Sequence, residues 1–233
     1  MEPQSLSAHI VRVTSGGNNM DKTKTKWYIR PIVEAVRNHG INACEAMALD
    51  IASGLLLKGQ AANIGGGMNK RWPLAVCSDA MHEPDLDFNT RPLPFDTSSL
   101  GLVVCEQVIE HLHNTTWFLS ELRRVLKVGG SLLISTENLV SLPNLFAMLL
   151  QRAPFSTQAL CGQFLGGWKD GPTGHEDGVN PNHPTYSGVH GHVRVMTVGQ
   201  LKELFRLAGF KLLSKHGYGG NHYVLFHLVR ESE

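Results

Sequence analysis

Residues 92–113, PLPFDTSSLGLVVCEQVIEHLH, constrain the fold more than any other stretch of the chain. A polar turn, 96–99, leads into the short apolar run 100–105, where Val103 and Val104 adjoin and nothing alternates. A run of that length with no polar face reads as a strand buried on both sides, as in a parallel sheet. From Glu106 the period changes: Val108, Ile109 and Leu112 fall at helical spacing, with charged residues between them. A buried strand that turns into a helix exposes functional side chains at its carboxyl end, and there open α/β sheets bind ligands.

The rest of the chain sets bounds on this reading. Its 233 residues suit one domain with an ordinary core, and 18% charged against 42% hydrophobic residues is a globular balance. A formal net charge of +1 argues against an extended nucleic-acid surface. No apolar run approaches the roughly 20 residues that span a bilayer, and the N-terminus has no apolar signal core. Cys44, Cys77, Cys105 and Cys161 are scattered without a C-x-x-C pair, so reduced thiols and a cytoplasmic protein are expected.

In chain order, residues 1–22 read as a flexible tail and 23–233 as a single domain. Residues 23–59 carry two helical segments, either a cap over a site or helices that flank the sheet. Residues 61–67, AANIGGG, read as a strand followed by a glycine turn that lets the backbone approach a ligand. Lys70 stands where a dinucleotide site would need its third glycine. A second strand, 74–78, ends at Asp79-Ala80, followed by the acidic loop 84–89. Residues 118–126 form an amphipathic helix, 131–136 the next buried strand, and 141–150 a further helix. Residues 160–192, rich in Gly, Pro, Asn and His, read as a lid insertion. A capped helix over 197–209 and strands over 211–214 and 223–229 complete the chain.

The segments LPF-D-x-S-x-x-LVVCEQVIEHL and FLSELRRVLKVGGSLLIST resemble the core of class I S-adenosylmethionine-dependent methyltransferases, closest to the type 11 group. The resemblance implies a Rossmann-like α/β fold: a seven-stranded, mostly parallel sheet with helices on both faces, an N-terminal helical cap and a lid after the fifth strand. It places the cofactor against Asn63, Gly65, Gly66, Gly67, Asp79, Ala80, Asp87, Phe88, Asn89, Glu106 and Gln107. Asp79 would take the ribose hydroxyls, and Asp87 with Phe88 the adenine. Asn63 replaces the family's usual acid in the glycine motif, and Gly101 replaces a second acid within the central strand.

In a methyl-transferring site the protein positions the acceptor and handles its proton. Gln107, Glu110 and His111 are spaced to share one helix face. By resemblance to the small-RNA 3′-end methyltransferases, His192, read from its spacing before Thr197, would join Glu110 and His111. The set Glu110, His111 and His192 is therefore the candidate catalytic group and a candidate divalent-metal site. Such donors would suit zinc, iron or manganese better than magnesium. Acid/base or acceptor-orienting work without metal, and a purely structural role, stay open.

The expected activity is methyl transfer from S-adenosylmethionine to oxygen or nitrogen of a small metabolite, secondary-metabolite or sugar-like. The alternatives are a metal-assisted O-methyltransferase of a nucleic-acid or quinone-type substrate, and a degenerate, non-catalytic partner protein. The oligomeric state is open, a homodimer included.

Overall fold

The computed structural model describes residues 41–55, 60–65, 75–78, 86–151, 154–157 and 192–232. The non-alternating run at the centre of the chain becomes strand β3, Leu100–Glu106, buried from Leu100 to Cys105. Around it lie β1 (Gln60–Ile64), β2 (Ala75–Ser78), β4 (Leu126–Glu137), β5 (Phe210–Tyr218) and β6 (Tyr223–Arg230). The spatial order is β2-β1-β3-β4-β6-β5. Strands β1 to β4 pair in parallel, and β6 runs antiparallel to both β4 and β5. Only β6 is therefore reversed, and the sheet is mostly parallel as expected.

Alternate residues of each strand face opposite layers. Ala62, Val103, Cys105, Leu132, Ile134 and Phe226 share one core with helices α2 (Thr115–Val125) and α4 (Val198–Leu207), through Phe118, Leu122, Leu201 and Phe205. Ala61, Leu102, Val104, Leu133 and Leu225 form the other core with helix α1 (Ile41–Leu55), through Cys44, Ala48 and Ala52. Burial pushes the Cys44 thiol up to about 12, so it stays protonated.

The helix starts obey local chemistry. Asn114 caps α2 by accepting the Trp117 amide, and Ser141 caps α3 (Leu142–Leu149) by accepting the Asn144 amide. Thr197 and Gln200 form a reciprocal capping box at α4.

The described residues hold six strands. Residues 86–99, before β3, form turns, with the Thr90 and Arg91 amides donating to the Asp87 carbonyl. Two expectations need correction. Strand β4 begins at Leu126 and runs through Gly129-Gly130, where Gly129 has φ +75 and the register with β3 shifts. The helix expected from Glu106 to His113 is only a 3-10 turn, Ile109–His111.

Of the expected cap, only Ile41–Leu55 is described, and it flanks the sheet through its small-residue face. The tail 1–22, cap residues 23–40 and the lid apart from His192 lie outside the described residues.

Candidate functional site

The site is built where β3 and β4 end. Gln107 has φ +53, a left-handed backbone that stops a helix from continuing out of the strand. Its amide N–H donates to the Ser135 carbonyl at 3.0 Å, and its side-chain Nε2 donates to Ser135 Oγ at 3.3 Å. Gln107, Glu110 and His111 therefore do not share a helix face, which corrects that part of the sequence reading.

The 3-10 turn is pinned by Ile109, fully buried in the core, and this carries Glu110 inward beside it. Glu110 Oε2 accepts from Thr136 Oγ1 at 2.9 Å, while Oε1 is buried without a hydrogen bond. Its backbone carbonyl accepts the amides of Val193 and Arg194 at 2.9 and 3.0 Å. Those two bonds draw the segment before α4 across the strand ends, and the bridge between Asn138 and Met196 extends the same contact. His192 arrives with its ring centroid 4.7 Å from that of His111, edge to face. One donor atom each from Glu110, His111 and His192 lies within 4.8 Å of the others. Family resemblance and the spacing before Thr197 pointed to this trio, and the fold brings it together.

Burial dominates the electrostatics. It pushes the Glu110 carboxyl up to about 8, with the nearby Glu137 carboxyl adding to the rise and the Thr136 hydroxyl opposing it. Burial lowers the His192 imidazole against the opposing pull of its bond to the Ser156 carbonyl, 2.8 Å from Nδ1. A carbonyl only accepts, so Nδ1 carries the proton and the neutral ring keeps its lone pair on Nε2. Glu110 is thus a protonated acid near neutrality beside a neutral imidazole, a pair suited to moving a proton.

Two groups escaped the sequence reading, Glu137 and His222. Both are buried, and Glu137 Oε2 lies 3.6 Å from His192 Nδ1 and 3.6 Å from His222 Nε2. The available signal was an acid at the carboxyl end of a buried strand.

The cofactor-side residues divide. Asn63 is fully buried at the end of β1, and neither atom of its amide has a hydrogen-bond partner. Gly65 follows at φ +80, and a Cβ there would stand 2.3 Å from Val108 Cγ2. An unsatisfied amide beside a glycine turn, at the ligand-binding edge of the sheet, fits a polar ligand reaching that turn. Glu106 is half-buried at the end of β3. Gly66, Gly67, Asp79 and Ala80 lie outside the described residues.

The 87–89 segment differs from its expected role. Phe88 is 4% exposed, with its ring 5.6 Å from Phe118, so it is committed to the core and offers no face to an adenine. Asp87 accepts from the Asn89 amide, Asn89 Nδ2 and Thr90 Oγ1, which holds its carboxyl below the usual range and closes a turn. Asn89 Oδ1 accepts the His113 and Asn114 amides and ties this turn to the start of α2. A separate groove of about 540 Å³ between α2 and α4, lined by Arg123, Arg124 and Arg230, shares no residue with the site.

Comparison with known proteins adds a family likeness over part of the chain. Residues 33–134 match the type 11 family model described as "Methyltransferase domain". Over that stretch, less than half of the chain, the sequence is similar to a methyltransferase domain. The matched residues include Asn63, Gly65, Glu110 and His111, whereas His192 and Glu137 lie beyond them. A "Probable S-adenosylmethionine-dependent methyltransferase" of Mycolicibacterium smegmatis is 45% identical over 53 residues, 23% of this chain. That match spans only 21% of the relative's length.

Among solved structures, a "possible histamine N-methyltransferase" of Thermotoga maritima has a TM-score of 0.52 at 16% identity, covering 87% of this chain and 95% of its own. The cyclase SpnF superposes with a TM-score of 0.50 at 11% identity, covering 88% of this chain and 93% of its own. Such likeness shows the methyltransferase fold alone, and SpnF's description as a cyclase shows that the fold does not fix the reaction.

Proposed function

We propose that this chain is an S-adenosylmethionine-dependent methyltransferase acting on oxygen or nitrogen of a small acceptor, of the secondary-metabolite or sugar-like class. The observation that carries this reading is the convergence of Glu110, His111 and His192 beyond the ends of β3 and β4, in a chain similar over residues 33–134 to a methyltransferase domain. S-adenosylmethionine supplies an electrophilic methyl group. The chain's own residues supply the rest: Asn63 and the turn at Gly65 receive the cofactor, and the trio meets the acceptor. His192, neutral with its lone pair on Nε2, takes the acceptor's proton. Glu110, kept protonated by burial, donates a hydrogen bond that orients the acceptor atom.

A second reading is favoured by the same convergence. Two imidazoles and one carboxylate within 4.8 Å of one another match the donor set of a borderline divalent cation such as zinc, iron or manganese. Such an ion at Glu110, His111 and His192 would act as a Lewis acid on an acceptor hydroxyl.

The test is an acceptor screen with methyl-labelled cofactor, run with and without chelator, against Glu110→Leu and His192→Ala. Labelled product from the wild type, reduced at least tenfold in both variants, supports the proposal. Full activity in both variants would remove the trio from the reaction, and chelator sensitivity would select the metal reading.

A further inference from the structure

Glu137 closes β4 opposite Tyr223 of β6, almost fully buried. Its Oε2 has no hydrogen bond, yet two imidazole nitrogens face it, His192 Nδ1 and His222 Nε2, each at 3.6 Å. The polar groups around it have consistent polarity. Ser141 Oγ accepts the Asn144 amide at 3.3 Å and lies 3.0 Å from His222 Nδ1; donation from the hydroxyl to Nδ1 sets Nε2–H toward Glu137, whereas the other tautomer would set an Nε2 lone pair against the carboxylate. A His222 ring that accepts at Nδ1 carries its proton on Nε2, the nitrogen that faces Glu137 and has no other partner. On the other side, donation to the Ser156 carbonyl puts the His192 proton on Nδ1, the nitrogen that also faces Glu137. Two N–H groups on opposite tautomers thus converge on one buried carboxylate oxygen.

We propose that Glu137 is a positioning residue for the methyl-transfer site, holding His192 between its own carboxylate and the Ser156 carbonyl so that the Nε2 lone pair serves the Glu110–His111 side. This rests on the reading of His192 as a working residue. The gaps of 3.6 Å exceed a hydrogen bond, and a shift of well under 1 Å in the carboxylate or the rings closes them. A carboxylate behind an imidazole fixes the tautomer, orients the ring and raises the basicity of the far nitrogen, whether that nitrogen takes a proton or a metal. His222 and Ser141 in turn hold Glu137, and Ser141 is also the cap of α3, so the array is anchored at a helix start.

The experiment records long-range nitrogen–proton correlations of the histidine rings in full-length, chelator-treated protein at mildly alkaline pH. The wild type is expected to show His192 as the Nδ1–H tautomer and His222 as the Nε2–H tautomer. Either ring on the other tautomer overturns the proposal without any variant. In Glu137→Met, which removes both acceptor oxygens at similar side-chain length, at least one ring is expected to leave its wild-type tautomer while the fold is kept. Both tautomers unchanged in the folded variant would make Glu137 only a volume filler and overturn the proposal.

A cobalt titration separates this from the metal reading. If the wild type binds cobalt, Glu137→Met is expected to weaken it by about 10–100-fold, and undiminished affinity counts against positioning. If the wild type binds no cobalt, the metal reading fails and the tautomer spectra alone decide the role of Glu137.

Discussion

The amide of Val193 donates to the carbonyl of Glu110 at 2.9 Å, and this main-chain bond sets His192 beside the acid. Because the link is main-chain, side-chain substitutions at either residue leave the approach of the two segments intact. Glu110→Leu and His192→Ala therefore report on chemistry more than on assembly.

The first prediction follows from the buried acid. The folded protein holds the Glu110 proton up to about pH 8, whereas the unfolded chain releases it near 4.5. The folded state binds more protons in that window, so stability falls as pH rises from about 4.5 to 8. Melting curves of chelator-treated wild type and Glu110→Gln across that range should show the wild type losing ground to the variant. Parallel curves would contradict a protonated, buried Glu110.

Glu121 gives the opposite sign. Its carboxylate accepts Arg124 Nε and Nη2 and the Leu93 amide, each at 2.8 Å, and these bonds hold its pKa below the usual range. That contribution is present above the unfolded value and is lost as pH falls through the folded one. Glu121→Gln should lose about 1–3 kcal/mol by denaturant unfolding at neutral pH, and the gap to wild type should close on acidification.

Gly65 is fixed by backbone and by space at once. Gly65→Ala must place a Cβ 2.3 Å from Val108 Cγ2 at φ +80. The left-handed backbone alone costs about 1–2 kcal/mol. Adding Val108→Ala should relieve the clash but not the backbone term, so a double-mutant cycle should show coupling with a residual loss. Additive losses would contradict the close contact between the glycine turn and Val108.

Asn63 is a buried amide without hydrogen-bond partners, at the position where the resemblance implies an acid. Asn63→Asp should lower the melting temperature of the ligand-free protein and enlarge its rise with S-adenosylmethionine, since a buried carboxylate needs the ligand's ammonium. An unchanged thermal shift would remove Asn63 from the cofactor contacts.

How much of this was legible follows from which contacts are local. The run 100–105 announced a doubly buried strand because burial on both faces erases alternation, and β3 has that pattern. The Thr197–Gln200 capping box lies within four residues, so α4 was readable, and the spacing back from Thr197 found His192. The left-handed Gln107 was not readable, because its φ of +53 goes with bonds to Ser135 on the neighbouring strand. Phe88 was misplaced because an aromatic ring in an acidic loop looks available until Phe118 covers it. Glu137 and His222 stayed hidden for the same reason. Only the pairing of β4 with β6 brings them together, and no local pattern encodes that register.

The measurement that tests the central claim most directly is calorimetric titration of the full-length protein with S-adenosylmethionine and S-adenosylhomocysteine. Micromolar binding of both, weakened in Asp79→Ala and in Gly65→Ala, is the predicted result. No binding of either up to millimolar concentration would contradict the methyltransferase account and leave the fold without its cofactor.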